Sequence, residues 1–168
     1  MLRIAPALAV LALLASPAAA QTKPEPALDA MLVLDASGAM WGQVGGRPKI
    51  EAARGAVGSI LGRWRAGDRL GLVVYGHRSK SDCKDIETVV PLGALDAGGM
   101  SAAVGGIVPQ GRTPIAESLK AAAGALKGSA RASVILVSDG IETCAADPCA
   151  VAAELKKAAV TLTAHVVG

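Results

Sequence analysis

The 168-residue chain carries 17 Lys and Arg against 14 Asp and Glu, a formal net charge of +3, and no basic run, so the electrostatic footprint of a nucleic-acid binder is missing. Two Trp, one Tyr and no Phe leave no aromatic platform for stacked bases. Arg3, the apolar run 8–14 and the small residues Ala18, Ala19 and Ala20 before Gln21 give residues 1–20 the layout of a secretory signal peptide. The alternative, a membrane anchor, is opposed by Pro6 and Pro17 and by a length short of the roughly 20 apolar residues a span needs. Export to the periplasm or medium, with no membrane span after cleavage, is therefore expected. Residues 21–27, with two prolines and two charges, read as a linker. Residues 28–168 are one domain's worth, enough for a single sizeable core.

Residues 31–34 (MLVL) form an apolar run that stops abruptly on Asp35, Ser37, Gly38 and Ala39. That pattern suits a strand buried on both faces, followed by the polar loop at its C-terminal end. The segment 42–48 (GQVGGRP) is a loop or small hairpin. Ile50, Ala53, Val57, Ile60, Leu61 and Trp64 then share one helical face, and Gly67 and Asp68 end that helix. Residues 70–75 (LGLVVY) predict a second strand and 86–92 (IETVVPL) a third, which Pro91 confines to the sheet edge. The short connection between them predicts an antiparallel pair.

Asp96 predicts the cap of a helix that turns Met100, Val104 and Ile107 inward, and Thr113 followed by Pro114 the start of another, with Ile115, Leu119, Ala122 and Leu126 inward. Residues 133–137 (SVILV) are a strand ending on Ser138, Asp139 and Gly140. Asp147 and Pro148 open a last helix, with Val151, Leu155 and Ala158 inward, and residues 161–168 a fifth strand. Strands alternating with helices specify an α/β fold: doubly wound, with a mainly parallel central sheet, one antiparallel edge strand and helices on both faces. An apolar strand as the last element predicts either an edge strand or a domain truncated at its C-terminal end; truncation is the expectation adopted.

Two strands place an aspartate just past their last apolar residue. If they are neighbours, Asp35 and Asp139 face each other, and like charges that close need a counter-charge. A divalent cation supplies one. Mg2+ takes about six oxygens, keeps several waters and leaves positions that an incoming carboxylate can fill; Ser37 and Thr113 offer neutral hydroxyls. The three cysteines of an exported chain predict one disulfide and one odd thiol. The near pair Cys144 and Cys149 is favoured, and a bridge from Cys83 to either is the alternative. A zinc site is disfavoured, since two cysteines at that spacing with His77 and His165 far off match no usual ligand pattern.

These residues resemble a von Willebrand factor type A domain, the fold shared with integrin I domains. LDASGAMWG, GRTPI and LVSDG occur in the family's order across residues 28–168. The resemblance implies a metal-ion-dependent adhesion site at Asp35, Ser37, Ala39, Thr113 and Asp139, holding Mg2+, or Mn2+ or Ca2+. It is nearest to bacterial exported members, where a Tyr-Gly-His stretch such as residues 75–77 and a cysteine pair such as Cys144 and Cys149 also occur. Family members continue through further elements, as the truncation reading requires. Ala39 departs from the pattern: the family has a second serine there, and one direct oxygen ligand is missing.

The resemblance implies a binding module rather than an enzyme, taking a protein partner through an acidic group that completes the metal shell. The rival reading is a metal-independent scaffold in which Thr113 only caps a helix, Ser37 and Gly38 only turn the chain, and backbone amides hold the two aspartates. Other chemistry lacks its residues. Position 37 is not the second acid of an aspartyl phosphotransferase, no G-x-S-x-G surrounds Ser37, and neither G-x-G-x-x-G nor a P-loop occurs. His77 reads as a solvated loop histidine and His165 as a partnered core histidine. Met40 and Trp41 either plug the helix packing or form an apolar rim for a partner.

Overall fold

The computed structural model describes residues 25–167. The predicted signal peptide and residues 21–24 of the predicted linker lie outside the described residues. In chain order the elements are β1 (Asp29–Asp35), a 3-10 turn (Gly38–Trp41), β2 (Gln43–Val44), β3 (Arg47–Pro48), α1 (Lys49–Leu61), β4 (Arg69–Tyr75), β5 (Ile86–Ala94), α2 (Ala97–Gly106), α3 (Ile115–Ala125), β6 (Ala132–Ser138), α4 (Pro148–Lys157) and β7 (Val160–Val166). The main sheet has the order β5-β4-β1-β6-β7, parallel except for β5, while β2 and β3 form the small hairpin expected from the glycine-rich segment.

β1 lies at the centre, parallel to β4 on one side and β6 on the other, with all seven residues buried. Side chains alternate across a strand. Ala30, Leu32 and Leu34 therefore join Ile50, Ala53 and Val57 of α1 and Met100 and Val104 of α2 in one core. Met31 and Val33 join Val73 and Tyr75 of β4, Leu119 and Ala122 of α3, and Val151 and Leu155 of α4 in the other. The doubly wound architecture follows from an apolar run with no polar face. Pro91 sits on the antiparallel edge strand, and the β4 to β5 pairing shifts between Leu70 and Val73, beside it. At the N-terminal end of the sheet, the Arg69 guanidinium bonds both carboxylate oxygens of Asp29 and, aided by Ser129, holds that acid below its usual range.

Several details differ from expectation. α1 stops at Leu61, capped by Gly62, and Trp64 reaches the core from the following turn. Asp96 and Asp147 cap α2 and α4 as predicted. Thr113 does not cap α3: the N-cap residue is Pro114, and Glu142 accepts from the Ala116 N–H instead. Ala158 is exposed because α4 ends before it. His165 is exposed as well: β7 lies at the edge of the described sheet, and its Val160 and Leu162, not His165, pack against the core. No helix among the described residues is long and apolar enough to cross a membrane.

Candidate functional site

The C-terminal ends of β1, β4 and β6 carry the polar loops singled out from sequence. β1 and β6 pair in register up to Leu34 and Val137, so Ser138, not Asp139, comes level with Asp35. Asp35 is fully buried. Its Oδ1 accepts from the Ser37 N–H at 2.8 Å, and its Oδ2 accepts from Ser138 Oγ at 2.6 Å. Ser138 Oγ in turn accepts from the Tyr75 hydroxyl at 3.2 Å and the Gly140 N–H at 3.0 Å. Burial first, and then the Asp35 charge, push the Tyr75 hydroxyl well above its ordinary value, which keeps it a donor.

Asp139 has a partner of its own. Its Oδ2 takes the Lys49 ammonium at 2.8 Å, and its side chain is only 3% exposed. Ser138 thus satisfies one oxygen of Asp35, and Lys49 one oxygen of Asp139. Two buried oxygens are left without a hydrogen-bond partner among the described residues, Ser37 Oγ and Asp139 Oδ1. Such orphans are uncommon in folded proteins and call for an explanation. Thr113 is buried; its N–H donates to Thr143 Oγ1 and its carbonyl accepts from the Thr143 N–H. A Cβ built on Gly140 would lie 3.2 Å from both Asp35 Oδ2 and Thr113 Cγ2. Asp35, Thr113 and Ser138 thus converge on Gly140, with Asp139 next to it in the chain and Ser37 tied to Asp35.

Backbone contacts hold these loops together. The Ala36 N–H donates to the Tyr75 carbonyl, the Gly38 N–H to the Gly111 carbonyl, and the Gln110 and Gly111 N–H groups to the Gly76 carbonyl. Gly76 and Gly111 pack so closely that neither has room for a side chain. Ala39, where a second serine was expected, is exposed on the 3-10 turn. Met40 beneath it is fully buried, and Trp41 is half exposed with its indole N–H donating to the Pro109 carbonyl. The Met40–Trp41 alternative thus divides: one residue plugs the core, the other forms rim. Among the described residues the exposed large apolar side chains are Trp41, Val108, Ile141 and Val166. The first three sit on the loops that surround Asp35 and Asp139.

The disulfide joins Cys83 to Cys144, and Cys149 is an exposed free thiol. The favoured Cys144–Cys149 pairing is therefore corrected. Cys149 is wound into the first turn of α4, where Asp147 takes its N–H, while Cys144 lies in the loop facing the β4–β5 connection. The bridge clamps two rim loops to each other.

His77 is not solvated. Its side chain is 11% exposed and pairs with Glu87 at 2.9 Å. Asp85 organises the same loop, accepting from the N–H groups of Arg78 and Ser79 and from Arg78 Nε. Burial would raise its carboxyl, but the Arg78 side chain and the two backbone donors outweigh that and hold it below the ordinary 3.8. A lowered folded value stabilises above the unfolded one and is lost as pH falls through the folded one. Replacing Asp85 by Asn is expected to cost about 2 kcal/mol at pH 7, with the deficit shrinking below about pH 4. Urea unfolding of both proteins at pH 7 and pH 3 checks this; a deficit independent of pH would contradict it.

From sequence, Asp35, Ser37, Thr113 and Asp139 were singled out by chemistry, and the fold brings them to one end of the sheet. Ser138, Tyr75 and Lys49 were missed. Ser138 stood in the LVSDG run beside Asp139 and Tyr75 before Gly76, whereas nothing local marked Lys49.

The chain is similar to known proteins in sequence and in fold. A von Willebrand factor type A domain family model matches residues 30–142. YwmD, an uncharacterized protein of Bacillus subtilis (strain 168), is 29% identical over 147 residues, 82% of this chain and 66% of the relative, so the chain spans just under two thirds of it. Among solved structures, the vWF domain of the type V pili tip protein Mfa5 from Porphyromonas gingivalis is 25% identical, with a TM-score of 0.53 over 71% of this chain and 40% of that one. Proximal thread matrix protein 1 from the mussel byssus, with a zinc-occupied MIDAS motif, is 19% identical, with a TM-score of 0.65 over 83% of this chain and 35% of that one. With the strand order, the loop motifs and the family match in agreement, the chain belongs to the von Willebrand factor type A domain family.

Proposed function

We propose that this domain is an exported recognition module that binds a protein partner at the C-terminal ends of its strands, around a divalent cation held by Asp35, Ser37, Thr113 and Asp139. The observation that carries this is the pair of buried, unpartnered oxygens, Ser37 Oγ and Asp139 Oδ1, at that end of the sheet. Two carboxylates with neutral hydroxyls are hard oxygen donors suited to Mg2+, or to Mn2+ or Ca2+. When bound, the ion supplies a Lewis-acidic position that a partner's carboxylate can occupy. The protein's own residues do the rest. Ser138 and the Ser37 amide orient Asp35, the stacked loops exclude solvent beneath it, and Trp41, Val108 and Ile141 offer apolar contact around the rim.

We read the site as serving recognition rather than turnover: the hydroxyl beside Asp35, Ser138 Oγ, is buried and is also held by Tyr75 and the Gly140 N–H. Support in kind comes from relatives: Mfa5 is a pilus-tip protein, and the mussel protein carries zinc at its own motif. A second reading, metal-independent docking by the same rim, draws on the Lys49–Asp139 ion pair and on the missing oxygen at Ala39.

Thermal unfolding with and without metal decides between them. At a hundredfold excess over Kd a ligand stabilises by about 2.7 kcal/mol, which is roughly 5–10 °C for a domain of this size. Mn2+ or Mg2+ is expected to raise Tm by that order, EDTA to reverse the rise, and Ala39→Ser to reach it at lower metal concentration. No shift at millimolar metal in the folded protein would overturn the metal reading and favour the second one.

A further inference from the structure

Lys49 is the first residue of α1, and a cation there lies at the positive end of the helix dipole, the unfavourable end. Helix stability does not explain its place; Asp139 does. The ammonium meets Asp139 Oδ2 at 2.8 Å although the two residues are 90 apart in sequence, and the carboxylate is almost wholly withdrawn from water. A buried carboxylate without a counter-charge is strongly destabilising. The approach of the side chain is also defined. The Lys49 N–H donates to the Gly42 carbonyl, and the Gly42 N–H donates to the Ala39 carbonyl. A Cβ on Gly42 would lie 3.4 Å from Lys49 Cε, so the lysine stem runs over the end of the 3-10 turn that carries Ala39.

We infer that Lys49 is a resident counter-cation that competes with the divalent ion for Asp139, so that metal entry requires the ammonium to leave. This rests on the ligand assignment proposed above and adds to it a built-in setting of affinity. The domain stays neutralised and folded without metal, and it takes metal only at concentrations high enough to displace a tethered amine. The chain lacks a ligand oxygen at position 39 and brings a positive charge to Asp139 across the same turn. Both features lower affinity for a cation.

The test is calorimetric titration of the intact chain with Mn2+, comparing wild type with Lys49→Met and Lys49→Gln, the second variant serving if the first does not fold. Both are expected to bind Mn2+ about tenfold more tightly, within the roughly 5–150-fold range of coupled sites. Their metal-free Tm is expected to fall and to recover at saturating Mn2+. In wild type, reductive methylation of Lys49, followed by mass spectrometry, is expected to speed up when Mn2+ is added. Unchanged Mn2+ affinity in a folded variant, with clear binding by wild type, overturns the role of Lys49 and leaves the proposed function standing. Binding by the variants without binding by wild type supports Lys49 as the resident cation and overturns metal dependence of the natural chain. No binding by any of the three overturns both.

Discussion

Replacing Cys83 and Cys144 together by serine is expected to lower the unfolding free energy by about 4 kcal/mol, the loop-entropy value for a bridge spanning 61 residues. For a domain of this size that is a drop of roughly 8–16 °C in Tm. The bridge joins the β4–β5 connection to the loop after β6, segments that backbone pairing does not otherwise join. The double variant is therefore expected to respond more weakly to Mn2+, because the loop that follows Asp139 is less constrained. Reduction of the wild-type protein should reproduce both effects. Cys149→Ser is expected to change neither, since that thiol is exposed and unbonded. Denaturant unfolding of the oxidised proteins measures the difference, and a loss below about 1 kcal/mol would mean that the bridge is incidental to stability.

Gly76→Ala is expected to cost about 3 kcal/mol. The residue has a φ of +71°, and an added Cβ would lie 2.6 Å from the Arg112 carbonyl oxygen and 3.1 Å from the Ser37 backbone. Neither neighbour is a flexible side-chain tip that can move aside. The Gly76 carbonyl also receives the N–H groups of Gln110 and Gly111. Relief of the clash must therefore separate the loop that holds Thr113 from the loop that holds Ser37. Urea unfolding tests the stability loss, and Mn2+ titration of the folded variant tests the separation, with weaker binding expected. A variant as stable as wild type would mean that these loops yield more readily than their packing indicates.

The fold was legible because its signals are local. The unbroken apolar run at residues 31–34 required cover on both faces, and Pro91 required an edge. The aspartate-proline pair at 147–148 marked the start of α4. That same signal bears on the disulfide: it places Cys149 inside a helical turn, turned away from pairing with Cys144 despite their nearness in sequence. Cys83 became the partner only through the meeting of two loops in space, which spacing does not encode. His165 was misplaced because an apolar run reads alike at a sheet's centre and at its edge. At the site, the oxygen-bearing residues stood out by their chemistry, but Lys49 looked like any charge at a helix start. Its meaning comes from a carboxylate 90 residues away in sequence, just past a strand that enters late in the chain.

The burial of β1 on both faces has one more consequence. In a strand with one wet face, the alternation of apolar and polar side chains fixes how the strand is threaded between its neighbours, because a one-residue slip would expose the apolar set. β1 lacks that safeguard, since Met31, Leu32, Val33 and Leu34 suit either core. What locks it is a charge at each end, Asp29 gripped by Arg69 and Asp35 gripped by Ser37 and Ser138. Sliding by one position would drag one of these acids into an apolar interior. Asp35 therefore acts as an end stop for the central strand whether or not an ion ever visits it, and a chain that abandoned metal altogether would still have reason to keep it.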